Sequence, residues 1–211
     1  MDKREMYKAV FEDTIQLCQT RDLLRNAVTA SNQQQYLVKD QTVIKTDQTK
    51  RYAHPAKIIV FKKRSLEAAG NKEYKGMKVC VHNFASATNP GGGVVNGASA
   101  QEECICRCST LYLSLTQEAV CRDFYQQHKM LIKQGKMNAA YNDDCIFTPG
   151  VVVFKTDDDQ YRLMAEDAWY RVDVITCAAP NLRNNPSNVM NPGSGANVSD
   201  LSVAQLRQLH K

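Results

Sequence analysis

HNFASATNPGGGVVNGASAQEECICRCSTLY, residues 82–112, decides the fold. Met77–Asn83 alternates apolar and polar residues and reads as a strand. It opens into a loop of glycine, asparagine, serine and alanine over 84–98, with three glycines at 91–93. A helix is expected from Ser99 to about Leu115. Strand, glycine loop and helix in this order are the unit of an α/β domain.

The loop suggests chemistry as well as a turn. Gly91, Gly92 and Gly93 carry no side chains to block approach and can adopt positive φ. Their amides can therefore converge on an anion, helped by a nearby helix N-terminus. The pattern matches neither G-x-G-x-x-G nor the P-loop, which disfavours a dinucleotide dehydrogenase or an NTPase. Taken alone, a glycine triplet is equally well a flexible surface loop.

Ser99-Ala100-Gln101-Glu102 has the spacing of a capping box, which would fix where the helix begins and where Glu103 points. Acids in a first helical turn usually do no more than complement the helix dipole. Beside an anion cradle they mean more. A bound phosphate and the Glu102 charge would both disfavour ionised Glu103. A carboxyl kept protonated near neutral pH suits a general acid at a glycosidic oxygen. A plain phosphate binder gains nothing from adjacent carboxylates.

Outward from this stretch, residues 3–18 read as an amphipathic helix with Met6, Val10, Ile15 and Leu17 as its apolar stripe, and 21–29 as a second helical piece. Residues 31–56 are polar and read as a long surface segment. Ile58-Ile59-Val60-Phe61 reads as a buried strand and Ser65–Ala69 as a short helix. A helix over 117–133 and strands at 145–148, 151–154 and 171–178 follow. Ser199-Asp200 followed by Leu201, Leu206 and Leu209 marks a last helix. It is read either as an ordinary terminal helix or as the point where a longer fold is cut. Strands alternating with helices give α/β with a mixed sheet.

Bulk properties set the class. The 211 residues suffice for one domain with a sizeable core, and 43% hydrophobic with 23% charged content is ordinary for a globular protein. The net charge of +5 is mild and compatible with an anionic ligand. No apolar run nears the roughly 18 residues of a membrane span, and the charged N-terminus lacks a signal-peptide pattern, so a cytoplasmic protein is expected. The eight cysteines lie partly inside apolar stretches, as reduced thiols do. On a helix Cys104 and Cys108 share a face while Cys106 points elsewhere, so C-x-C-x-C reads as structural burial rather than a zinc site. His82 reads as a satisfied strand histidine, and Tyr161, Trp169 and Tyr170 as core.

NFASA-x-NPGGG, a seven-residue spacer from Val94 to Ala100, then Gln101-Glu102-Glu103, resembles the bacterial-type poly(ADP-ribose) glycohydrolases. CRCSTLY and the later VDVITCAAPN, 172–181, extend the resemblance. It implies a macrodomain-like mixed sheet flanked by helices. Residues 1–56 would form an N-terminal helical extension and 57–211 the catalytic domain. It implies hydrolysis of ribose–ribose bonds, mainly from polymer chain ends, with Glu103 as general acid and then base and Glu102 orienting the ribose. Asn83, Ser86, Asn89, Gly91, Gly92, Gly93, Val94 and Gln101 would surround ADP-ribose. No metal or cofactor is implied. Partners would be ADP-ribose or its polymer on modified proteins, or on nucleic acid only where that is itself ADP-ribosylated; a monomer is expected. The family continues past a helix like 200–211 into a strand and a second glycine-rich loop carrying an aromatic residue. Nothing in 182–211 matches that loop, and Gly193-Ser194-Gly195 precedes the helix, so the resemblance implies a domain incomplete at its C-terminus. An ADP-ribose reader and an inactive fragment are the alternatives.

Overall fold

Four side chains bury one face of the first helix, α1 (Lys3–Thr20): Tyr7, Phe11, Thr14 and Cys18, spaced three or four residues apart. This face lies one step from the expected stripe, whose members flank it half-buried. The shift follows from the partners. Thr14 Oγ1 donates to the carbonyl of Arg107 at 2.6 Å, and the Val10 carbonyl accepts from Lys155 Nζ at 2.9 Å, so two buried polar groups join the apolar ones in setting the helix rotation. The computed structural model describes residues 2–43, 53–137, 141–180 and 202–204.

Helix α2 (Asp22–Gln34) buries Leu24, Ala27 and Ser31 and packs on the sheet. It runs further than expected. Strand β1 (Tyr36–Val38) follows, so part of the supposed surface segment is ordered structure. The boundary expected at residue 56 falls just after 44–52, which lie outside the described residues. Helix α3 (Ser65–Ala69) forms as read. Ile58–Phe61 does not form a strand: its four side chains are exposed, and no neighbour among the described residues pairs with it. β-branched residues favour an extended chain, but a strand exists only where another edge accepts its backbone bonds.

The sheet has the order β1-β3-β4-β2. Strand β2 (Cys80–Ala85) begins three residues later than expected. Helices α4 (Gln101–Cys108) and α5 (Leu111–Leu115) replace the single helix expected, because Ser109 is extended between them. There the chain meets the sheet: Thr110 N–H donates to the Val152 carbonyl and Phe154 N–H to the Cys108 carbonyl, both at 3.0 Å. Short helices α6 (Glu118–Val120) and α7 (Gln127–Lys133) are joined through one π-helical stretch, Cys121–Gln126. The two strands read at 145–148 and 151–154 are one strand, β3 (Cys145–Val153), with a bulge between Thr148 and Val151. Strand β4 (Tyr170–Ala178) lies antiparallel to β3 and parallel to β2, in a register that pairs Asn83 with Thr176 and Ala85 with Ala178. The mixed α/β sheet is as expected.

Burial alternates along the parallel pair. Val81, Asn83 and Ala85 face inward beside Val174, Thr176 and Ala178, whereas His82 and Phe84 are exposed on the other face. His82 is a strand histidine as read, on the exposed face, with its ring tilted against Phe84 and the centroids 4.4 Å apart. Both parallel strands end at the same edge of the sheet, where loops after parallel strands form ligand crevices. The glycine segment 193–195 and most of the last helix lie outside the described residues. Among the described residues no helix is long and apolar enough to cross a membrane.

Arg107 ties the N-terminal helix to this edge. Its guanidinium lies over the Tyr7 ring at 4.5 Å and the Tyr161 ring at 5.1 Å, and Nη1 donates to the Ala98 carbonyl at 2.6 Å. Each stacking contact is worth about 0.5–2 kcal/mol, and orphaning a buried carbonyl costs about 1–3 kcal/mol. Arg107→Ala is expected to lower unfolding stability by about 3 kcal/mol in urea titration. A loss below about 1 kcal/mol would show that the sandwich carries no weight.

Candidate active site

Helix α4 starts where tertiary bonds put it. Its N-cap is Ala100, and no side chain caps it, so the expected capping box at Ser99 is not formed. The residues that would have closed the box point elsewhere. Gln101 turns to β2: its Oε1 accepts from Phe84 N–H at 2.8 Å, and its Nε2 donates to the His82 carbonyl at 2.8 Å and to Ser65 Oγ at 2.9 Å. Glu102 turns to the loop, where Oε2 accepts from Ser86 N–H at 2.8 Å. Glu103 also faces the loop, and its Oε1 accepts from Gly93 N–H at 2.8 Å. Two consecutive acids thus grip the two ends of one loop.

The loop is built to receive them. Gly91 and Gly92 take φ of +67° and +60°, which L side chains rarely adopt. A Cβ on Gly92 would stand 2.5 Å from Glu103 Oε1 and 3.1 Å from Glu102 Oε2. One on Gly91 would stand 2.7 Å from the Tyr112 ring. Gly92 N–H donates to the Asn89 carbonyl and Val94 N–H to the Gly91 carbonyl, so the triplet is a turn of fixed shape. Ser86 Oγ accepts from the amides of Thr88 and Asn89, which folds the segment just before it.

Both carboxylates are buried, and each has one oxygen without a hydrogen-bond partner: Oε1 of Glu102 and Oε2 of Glu103. Burial pushes the Glu102 carboxyl up to about 8; the Ser86 amide opposes the rise and the Glu103 charge adds to it. Glu102 therefore keeps its proton at neutral pH.

The remaining expected residues divide. Asn83 is fully buried at the end of β2, with Nδ2 donating to Thr176 Oγ1 at 3.2 Å and Oδ1 unpartnered. Ser86, Asn89 and the glycines share the loop with the acids. Val94 has its side chain in the core, and Gln101 is committed to β2 and α3. The sequence reading missed Tyr112, which closes over Gly91, and His128, which lies beneath the loop with Nδ1 3.1 Å from the Ala87 carbonyl. Neither has a signal in its own neighbourhood, since each meets the loop across tens of residues. The C-x-C-x-C thiols are structural in the places shown: Cys106 and Cys108 are fully buried, and Cys104 meets the Tyr161 hydroxyl at 3.3 Å.

The profile of the microbial-type PARG catalytic domain matches residues 9–156. The chain belongs to this family. Family and fold make this PARG chain a hydrolase of glycosidic bonds. It is 27% identical to the poly(ADP-ribose) glycohydrolase of Thermomonospora curvata with a TM-score of 0.72, over 97% of this chain and 71% of that one. A structure of that enzyme bound to the inhibitor ADP-HPD is matched at 27% identity and a TM-score of 0.62, over 88% and 67% of the two chains. The Deinococcus radiodurans poly(ADP-ribose) glycohydrolase in complex with ADP-ribose is 31% identical with a TM-score of 0.58, over 74% of this chain and 59% of that one. No curated protein matches the chain.

Two outcomes test the geometry. Gly92→Ala is expected to distort the loop and lower ADP-ribose affinity at least about tenfold by calorimetry, with affinity unchanged if the turn has slack. The second concerns the buried acid. Folded Glu102 keeps its proton to about pH 8, against a reference of 4.5, so between these values the folded chain binds more protons than the unfolded one. Stability conferred by the neutral acid is complete below the lower value and is lost as pH rises through the higher one. Glu102→Gln removes that loss, so its stability relative to wild type should grow by about 1–3 kcal/mol between pH 5 and pH 8. Urea titrations at both pH values read it; a pH-independent difference would contradict the burial effect.

Proposed function

We propose that this chain hydrolyses ribose–ribose O-glycosidic bonds of poly(ADP-ribose), mainly from chain ends, releasing ADP-ribose, with Glu103 as general acid and base. One observation carries the reading: two buried acids bind opposite ends of a glycine loop through one oxygen each and leave the second oxygen of each unpaired. A ligand seated against the loop would meet both free oxygens.

In this reading the diphosphate and terminal ribose rest on Gly91, Gly92 and Gly93, with Asn83, Ser86 and Asn89 as the polar flank. Glu102 Oε1 accepts from ribose hydroxyls. Glu103 Oε2 faces the oxygen that bridges to the next ribose. Glu103 gives a proton to that oxygen as the C1–O bond breaks, leaving an oxocarbenium-like ribose and a free hydroxyl on the polymer. Ionised Glu103 then takes a proton from water as its oxygen bonds to C1, which restores the acid and frees ADP-ribose. Every proton and electron pair is accounted for by one carboxyl and one water. The acid pair also separates this reading from a binding module, to which a second buried carboxyl beside a phosphate only adds cost. ADP-ribose on modified proteins is the expected partner, and the chain is expected to act as a cytoplasmic monomer.

Glu103→Gln keeps the size and can still accept the Gly93 amide. It is expected to cut release of free ADP-ribose from the polymer by about 10² or more while retaining ADP-ribose binding. Binding by both proteins with release by neither would instead make the chain a reader.

A further inference from the structure

Against the Ala87 carbonyl, in the segment that leads to the glycines, lies a buried polar cluster with no part in the chemistry above. His128, on α7, is fully buried. Its Nδ1 lies 3.1 Å from the Ala87 carbonyl and its Nε2 lies 3.2 Å from Asp144 Oδ2. Asp144 immediately precedes β3. Its Oδ1 accepts from Asp40 N–H at 2.8 Å, and its Oδ2 also accepts from Lys39 Nζ at 3.3 Å. The Lys39 ammonium further donates to the Asp123 carbonyl at 2.9 Å. Phe124 covers the imidazole, with ring centroids 4.3 Å apart.

The donor inventory is decisive. A peptide carbonyl only accepts, so Nδ1 carries a hydrogen. Asp144 takes an amide and an ammonium, the partners of an ionised carboxylate, so the nitrogen facing it donates too. A ring with two donors is an imidazolium, bound on one side to the sheet and on the other to the loop. The residue it holds, Ala87, follows Ser86, whose amide grips Glu102. The π-helical stretch Cys121–Gln126 leads directly into α7, and such insertions shift the facing of the residues that follow.

We propose that His128 is a positioning residue: doubly protonated, it clamps the Ala87 carbonyl to Asp144 and thereby sets the height of the 86–93 loop at which Glu102 and Glu103 are aimed. Among the described residues, the charged and titratable groups around it are Asp144 and Lys39, with Cys145, Cys177 and Asp143 near Asp144 on the strand side. The kinetic consequence rests on the hydrolase reading; the clamp itself does not.

The test combines spectroscopy, exchange and kinetics on the full chain. Nitrogen-15 spectra of the imidazoles, with the His128 signals assigned by their loss in His128→Gln, should place both ring nitrogens in the protonated range at neutral pH; a neutral-ring pattern overturns the proposal. His128→Phe keeps a ring against Phe124 and removes both donors. Amide exchange at Ser86, Thr88 and Asn89 should then speed up at least about tenfold while that of Val174 and Thr176 on β4 stays within about twofold. With polymer as substrate, kcat should fall about tenfold or more while KM moves less than about threefold. Should His128→Phe fail to fold, Asp144→Asn, which leaves the ring in place, is read at the same amides. Unchanged exchange at the loop amides refutes the clamp whether or not the wild type cleaves polymer. Faster loop exchange in His128→Phe, beside a wild type that releases no ADP-ribose, keeps the clamp and removes only the hydrolase reading.

Discussion

Everything at the functional edge depends on two backbone amides meeting two buried carboxylates. Ser86 N–H and Gly93 N–H bracket the glycine loop, and Glu102 and Glu103 take one each. Because the acids are consecutive on α4, the loop cannot move without the helix, and the helix cannot rotate without releasing an amide. The same two bonds explain why the acids tolerate burial. Each keeps one strong partner in a place where an unpartnered charge would be far costlier. The remaining desolvation is what lifts the Glu102 carboxyl and keeps its proton on at neutral pH. Binding geometry and acid strength therefore come from one arrangement.

That arrangement is held from three directions. Gln101 bonds to β2 and α3, which fixes the helix N-terminus against the sheet. Arg107, nearly two turns further along, reaches past Tyr7 and Tyr161 to the Ala98 carbonyl, so α1 supports the segment between the glycines and the acids. His128 and Asp144 hold the loop from below. Buried polar groups converge on this edge, although others such as Thr14, Ser31 and Lys155 lie elsewhere in the core. Val174 and Thr176, adjacent inward positions of β4, show the change from a purely packed core to the hydrogen-bonded floor beneath Asn83.

What the sequence showed and what it hid divide along the range of the interactions. The glycine triplet and the two acids lie within thirteen residues, and the loop amides reach acids ten and sixteen residues away, so their meeting was legible in one short window. The helix start was misread by the same logic: a capping box is a local bond, and Glu102 and Gln101 had better partners in the loop and in β2. Ile58–Phe61 has the composition of a strand but joins no edge among the described residues, and composition cannot supply one. Tyr36–Val38 joins the sheet through Phe147 and its neighbours, a pairing more than a hundred residues distant. His128 was illegible for a like reason, its partners being 41 and 16 residues away.

The π-helical stretch between α6 and α7 carries a constraint on how this chain can vary in length. Six residues are wound there with i→i+5 bonds, each closing over one residue more than in an ordinary helix. Rewinding the same six residues as ordinary helix would turn everything downstream by about 100° around the axis, whereas losing one residue together with the wider winding would leave the facing as it is. In the first case the imidazole would face away from Ala87, although no residue of the loop or of the acid pair had changed. Length and winding of this outlying helix are therefore coupled: one residue can be lost there only along with the irregular turn.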